Sequence, residues 1–299
     1  MPAPAYAGQL AALGTAACWA FTALAFDAAA RRIGALSLSL IRLGIAFGFL
    51  CLAAWAMRGL PLPLDASPRA WGWLAVSGIV GFTFGDFCLF RAYVEIGARL
   101  SQLMMALAPP LTAIIGWLLL GETLGGRALL GMTLTVAGIA WAVLERKSQN
   151  GGPAPRPSLS GLAMGFGGAL GQAGGLVLSK LGMDGYDAVA ATQVRVLAGI
   201  LGYAVLFTAL RRWRRVGEAA RDRRAVGLAS VGAFFGPFLG VSLSLFAVRR
   251  IPAGVAASLM ALTPILIIPL VVVLRRERVG LGGIAGAVVA VAGVVLLFL

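Results

Sequence analysis

The 299-residue chain is 60% hydrophobic and only 12% charged, with a mean hydropathy of +0.93, whereas soluble domains carry about 25% charged residues. That composition excludes a soluble globular enzyme and describes an all-α integral membrane protein. The formal charge of +14 does not mark a nucleic-acid binder, because the basic residues sit in short loops between apolar runs and form no soluble basic face.

A transmembrane helix needs about 20 apolar residues to cross roughly 30 Å of hydrocarbon. Ten such runs follow one another, at 8–28, 36–57, 71–92, 100–120, 127–144, 160–179, 188–210, 226–247, 253–274 and 281–299. The first lacks a basic leader and is long enough to span, so it is expected to be a retained helix and not a cleaved signal. Cys18, Cys51 and Cys88 all fall inside spans and are odd in number, which favours packing roles over a disulfide framework.

Span 1 carries Trp19 and, one turn on, Thr22. Span 2 carries Arg42 in "SLIRLG", and span 3 carries Asp86 in "FTFGDFCLF". Counting in from the span ends at 1.5 Å per residue, both lie at ~10 Å depth on the same side, placed to form an ion pair. An ionisable group in a membrane is a functional candidate by default, although such a pair can also be purely structural. Span 4 begins with Ser101 and Gln102 and is interrupted by Pro109, after which Glu122 falls in a loop where capping or ion pairing is the expected role. The stretch "RKSQNGGPAPRPS", Arg146 to Ser158, reads as a linker.

Span 6 holds "GLAMGFGGALGQAGG", Gly161 to Gly175, whose small residues predict close helix packing, with sliding against neighbours as the alternative functional reading. Gln172 lies within it. Span 7 carries Arg195, which is expected near the opposite face from Arg42 and able to snorkel towards it. Span 9 is interrupted by Pro264, and Glu277 follows among arginines.

Sliding the sequence against itself aligns Pro109 with Pro264 at an offset of 155 residues. Met105-Ala106-Leu107 then matches Met260-Ala261-Leu262, Glu122 matches Glu277, Val136–Gly138 matches Val291–Gly293, and Gly81 and Gly85 match Gly236 and Gly240. Earlier in each half the offset is 153, pairing Arg42 with Arg195 and Trp19 with Gln172. Asp86 has no acidic counterpart, since Val241 stands at its equivalent, and this argues against a symmetrical clamp. Five spans per copy is an odd number, so the second copy enters the membrane from the other side. The predicted architecture is therefore ten transmembrane helices in two inverted five-helix repeats: 1–147, a linker at 148–158, and 159–299. Such repeats place a substrate site at their interface near the midplane, beside interrupted helices. Pro109 and Pro264 are either hinges that free backbone carbonyls or simple kinks.

These features resemble the drug/metabolite transporter superfamily and, within it, the ten-helix EamA-type permeases. The resemblance rests on the five-plus-five duplication, on Ala106–Pro109 and Ala261–Pro264, and on the paired Glu122 and Glu277. It implies export of amino acids or similar small metabolites, most like the bacterial YddG-type exporters, through the inner membrane. Trp19, Thr22, Asp86, Ser101, Gln102 and Gln172 are then the candidate substrate contacts, an aromatic face and amides suiting a small zwitterionic or aromatic ligand. Each has an alternative role in helix packing.

The chain has no histidine and no phosphate-binding loop, so neither His-based catalysis nor a built-in ATPase is expected, and no cofactor or metal. The expected partners are a small-molecule substrate and the lipid bilayer. A drug/proton antiporter is the nearest rival, weakened by the lack of an acid in span 1 before Asp27. An intramembrane aspartyl protease would need two carboxylates sharing one site, and Asp27 is the sole conceivable partner for Asp86. A passive channel is a third alternative, made less attractive by the duplication. The loops after odd-numbered spans carry most of the basic residues, including Arg31, Arg32 and the run from Arg211 to Arg224. By the positive-inside rule that side is cytoplasmic and both termini face out, whereas the family resemblance implies the reverse.

Overall fold

The computed structural model describes residues 6–145, 158–263, 265–266 and 281–298. Within lipid a backbone must satisfy its own hydrogen bonds, and the described residues are accordingly helical, with no strand. The first part of the chain forms α1 (Ala7–Ile33), α2 (Ala35–Arg58), α3 (Pro68–Gly78), α4 (Asp86–Met105), α5 (Ala108–Leu120) and α6 (Gly126–Glu145). The second forms α7 (Leu159–Met183), α8 (Ala188–Ala209), α9 (Trp213–Arg221), α10 (Arg223–Ala233), α11 (Val241–Val248), α12 (Ala253–Met260) and α13 (Leu281–Phe298). Among the described residues, six helices are long and apolar enough to cross a membrane: Ala7–Ile33, Ala35–Arg58, Pro68–Ile96, Leu159–Met183, Ala188–Ala209 and Arg223–Val248. Ala108–Leu120, Gly126–Trp141 and Gly282–Leu296 are shorter apolar helices.

The ends of these elements are written in the sequence. Ser67 precedes Pro68 and accepts a bond from the Ala70 N–H, so α3 begins with a capping hydroxyl and a proline in its first turn. Ser158, Asp187 and Asp222 cap α7, α8 and α10 in the same way. Gly59 and Gly121 end α2 and α5 with φ of 71° and 67°, the left-handed geometry that favours glycine. The basic run expected as a loop contains α9, whose Trp213 stacks on Phe207 while Ala219 is buried and its arginines face outward.

Two seven-residue π-helical turns join α3 to α4 and α10 to α11, at Ile79–Gly85 and Phe234–Gly240. They are 155 residues apart, the repeat offset itself, and each ends on the paired glycines of its copy. Single-turn π segments recur at functional sites because they widen the helix and displace its ladder.

α7 lies along α3, the first π-turn and α4, and its glycines make the contact. An added Cβ on Gly168 would stand 3.2 Å from Leu89, on Gly171 2.5 Å from the Gly85 Cα, on Gly175 3.0 Å from the Gly81 Cα, and on Gly182 2.9 Å from Trp73 and Leu74. Farther along, Gly161 meets Ile96 and Gly165 meets Met104.

α6 and α13 pack together by exchange of equivalent positions. Gly138 abuts Gly286 and Ala290, while Gly293 abuts Gly131 and Thr135, which are their counterparts at the offset of 155. A local twofold relation generates this pairing. A branched side chain at a glycine contact this tight overpacks by about 1–3 kcal/mol. Gly171→Val is therefore expected to lower the thermal midpoint of the purified protein clearly, whereas Gly227→Ala, with nothing within 4 Å of an added Cβ, leaves it unchanged or slightly higher. Differential scanning fluorimetry of the two variants checks the contrast.

Candidate functional site

Each span interrupted by proline breaks just before the proline. α4 ends at Met105, Ala106 and Leu107 form a turn, and α5 starts at Ala108. Pro109 thus occupies the first turn of a new helix, where its missing N–H leaves no intrahelical bond unmade. The carbonyls four residues back receive no bond from it or from Pro110. The second half breaks at the equivalent Ala261 and Leu262, and Pro264 lies outside the described residues. Thr263 fastens that break: its hydroxyl bonds the Met260 carbonyl at 2.9 Å and the Ala16 carbonyl of α1 at 3.3 Å.

The π-turns follow a reciprocal rule, each resting on the first helix of the other half. The first packs on α7 through the glycine pairs above. The second packs on α1, where Gly236 faces Thr22 and Gly240 faces the Trp19 indole nitrogen. The polar bonds at these crossings correspond as well. Ser77 donates to the Gly175 carbonyl at 2.6 Å, and Thr22 donates to the Gly232 carbonyl at 3.4 Å. Ser77 and Gly232 are equivalent positions, as are Thr22 and Gly175, so donor and acceptor have traded sides.

The candidate contacts distribute around this frame. Trp19 is half-buried against the second π-turn, and Gln172 is half-buried on α7 in the turn between Gly171 and Gly175. Thr22 was expected to offer a polar contact to a ligand, but its hydroxyl is occupied by the Cys18 and Gly232 carbonyls and is buried. Ser101 is fully buried, and the Gln102 side chain lies outside the described residues. The aromatic side chains collect at the second π-turn, where Phe234, Phe235 and Phe238 meet Phe21 and Phe49 with centroids 5.2–5.9 Å apart. Their spacing in the sequence gives no hint of this cluster.

Arg42 and Asp86 form an ion pair, with only 10% and 18% of their side chains exposed. The Arg42 guanidinium also stacks on Phe26 and Phe90, 5.2 and 5.8 Å from the ring centres. Arg195 does not snorkel. It is 6% exposed, lies 5.1 Å from the Phe82 ring centre, and rests against Gly81, where a side chain would displace it. The absence of a Cβ at Gly78 and Gly81 lets α8 come close enough to bury the whole arginine. Arg195 and Asp86 are near enough for each charge to act on the other.

At one end of the helices, Glu122 joins the halves. It pairs with Lys180 at 2.5 Å and accepts the Ala253 N–H at 2.7 Å, at the start of α12. Lys180 in turn bonds the Ile251 carbonyl at 2.9 Å. Glu277, its counterpart, lies outside the described residues. Nearby, Tyr186 donates to Asp65 at 2.8 Å, stacks under Arg58 and gives its carbonyl to Arg249. Burial, together with the bond to Asp65, pushes the Tyr186 phenol up to about 12. A cavity of about 350 Å³ opens between these loops, lined by Asp65, Arg69, Asp184 and Tyr186.

Asp86→Asn leaves Arg42 buried without a counter-charge, a loss of about 3–5 kcal/mol. Its thermal midpoint is expected to fall well below wild type. Asp86→Asn combined with Arg42→Gln is expected to recover part of the loss, and equal midpoints for the single and double variants exclude the coupling.

The chain spans 58% of an uncharacterized protein of Pseudomonas aeruginosa to which it is 32% identical over 168 residues, or 48% of its own length. A crystal structure of a protein at 20% identity superposes with a TM-score of 0.74, covering 97% of this chain and 95% of the other, and it establishes a shared fold. Residues 6–144 and 159–299 each match one copy of the EamA-like transporter family. A multi-pass helical membrane protein with two copies of this unit, locked to each other through equivalent glycines and hydroxyls, belongs to the EamA-like transporter family.

Proposed function

We propose that the protein is a secondary transporter that exports amino acids or similar small metabolites across the inner membrane by alternating access between two inverted five-helix repeats. The observation that carries this reading is the reciprocal packing, in which each half's π-turn rests on the first helix of the other half. An exchange-symmetric interface gives two equivalent ways for the halves to rock about a fixed centre. The helix breaks at 106–107 and 261–262 supply irregular backbone where a ligand can use it.

The substrate region lies between Trp19 on α1 and Gln172 on α7, with the phenylalanines of the second π-turn close by. A large apolar face with a few orienting polar groups suits neutral or aromatic amino acids. Asp86 is engaged by Arg42 in this conformation, which assigns it first to holding α2 against α4. The basic face that includes α9 is the cytoplasmic one on charge.

Reconstitution tests the proposal. Liposomes containing the purified protein are expected to take up labelled phenylalanine or leucine with saturation and with inhibition by unlabelled neutral amino acids. Uptake that matches empty liposomes across such a panel overturns the amino-acid reading, and flux that rises linearly with concentration indicates a channel.

A further inference from the structure

Arg42 and Arg195 are repeat equivalents, yet only Arg42 has a carboxylate, because Val241 stands where the second copy would carry an aspartate. Arg195 is therefore a membrane-embedded cation to which no carboxylate among the described residues is ion-paired, and its Nε has no hydrogen-bond partner there. A guanidinium cannot shed its proton to escape this situation as a lysine can, and burying it without an anion is costly. The Phe82 ring face offsets a fraction of that cost. The guanidinium lies on Gly81 of the first π-turn, where the buried glycines Gly78, Gly81 and Gly85 bring the backbone close against α7 and α8. The surroundings thus combine a fixed positive charge, an aromatic wall and close-packed glycine backbone, while Asp86, the carboxylate within reach of its charge, is ion-paired to Arg42 instead.

We infer that the missing anion is supplied by the ligand: Arg195 is the binding residue for a substrate carboxylate, admitted when the first π-turn and α8 separate. This rests on the transporter reading and narrows it to carboxylate-bearing substrates. The planar, bidentate geometry of guanidinium and carboxylate provides the selectivity. Asp86 cannot fill the role here, since Arg42 already holds it. The asymmetry between the halves then has a chemical purpose, one arginine neutralised by the chain and the other by its cargo.

The test is thermal stabilisation of the full-length protein in detergent by matched pairs of probes, phenylalanine against phenylalaninamide and leucine against leucinamide. The acids are expected to raise the midpoint in a dose-dependent way, with the amides at least tenfold weaker. Arg195→Gln is expected to abolish the difference, and Arg195→Lys to retain part of it. Equal responses to acid and amide in the wild type overturn the assignment, as does acid selectivity that survives in Arg195→Gln or a wild type unmoved by any acid. The wild-type comparison needs no variant to fold. A merely structural arginine would lower every midpoint without altering the acid-to-amide ratio. Saturable liposome flux with equal acid and amide responses sinks this inference alone, and absent flux with a clear acid response sinks the transport reading alone.

Discussion

The architecture depends on how closely two backbones can approach inside lipid. Between membrane helices there is no water to expel, so van der Waals contact and short polar bonds must hold them together, and small residues permit both. At the α7 crossing, glycine meets glycine at Gly171–Gly85 and Gly175–Gly81, and Ser77 and Ser179 both reach the Gly175 carbonyl at 2.6 Å. The same principle pairs α6 with α13 through Gly138 and Gly293. Once these contacts are fixed, the π-turns, the helix breaks and the buried arginines have little freedom of position.

Charge is distributed on a different logic from packing. Among the described residues the interior holds Arg42, Arg195 and Asp86, and other ion pairs, such as Arg32 with Asp222 and Glu122 with Lys180, sit at or near helix ends. Arg32 is 44% exposed, so its pair contributes little to stability. Glu122 differs because its carboxylate closes the start of α12 as well as neutralising Lys180, and it does so across the boundary between the copies. A helix N-terminus and a cation share one acid there, an economical way to hold one end of the assembly.

Much of this was legible in the sequence because duplication writes each feature twice. Pro109 with Pro264, Gly81 and Gly85 with Gly236 and Gly240, and the glycine run of span 6 marked the interruptions, the crossings and the close-packed helix. The π-turns leave no mark in the sequence, since the width of a helical turn is a property of its hydrogen bonds, and paired glycines are equally at home in an ordinary α-helix. Arg195 was misplaced because counting residues from a span end predicts depth but not direction. Its side chain lies over Phe82, towards a glycine face contributed by the other half. Thr22 looked like a ligand contact on composition, and only the position of the Gly232 carbonyl reveals that its hydroxyl is already spoken for. The Glu122 node joins residues from both copies, and no local pattern announces it.

The exchanged hydroxyls of Ser77 and Thr22 bear on the history of the two copies. In both crossings the acceptor is a main-chain carbonyl, which no substitution can delete, so a duplicated gene can lose the donor on one strand of the contact and regain it on the other. What descends through such divergence is a bond and its place in space, while the residue that makes it is free to migrate across the interface. Ancestry in a protein of this kind is consequently recorded more durably in geometry than in identity.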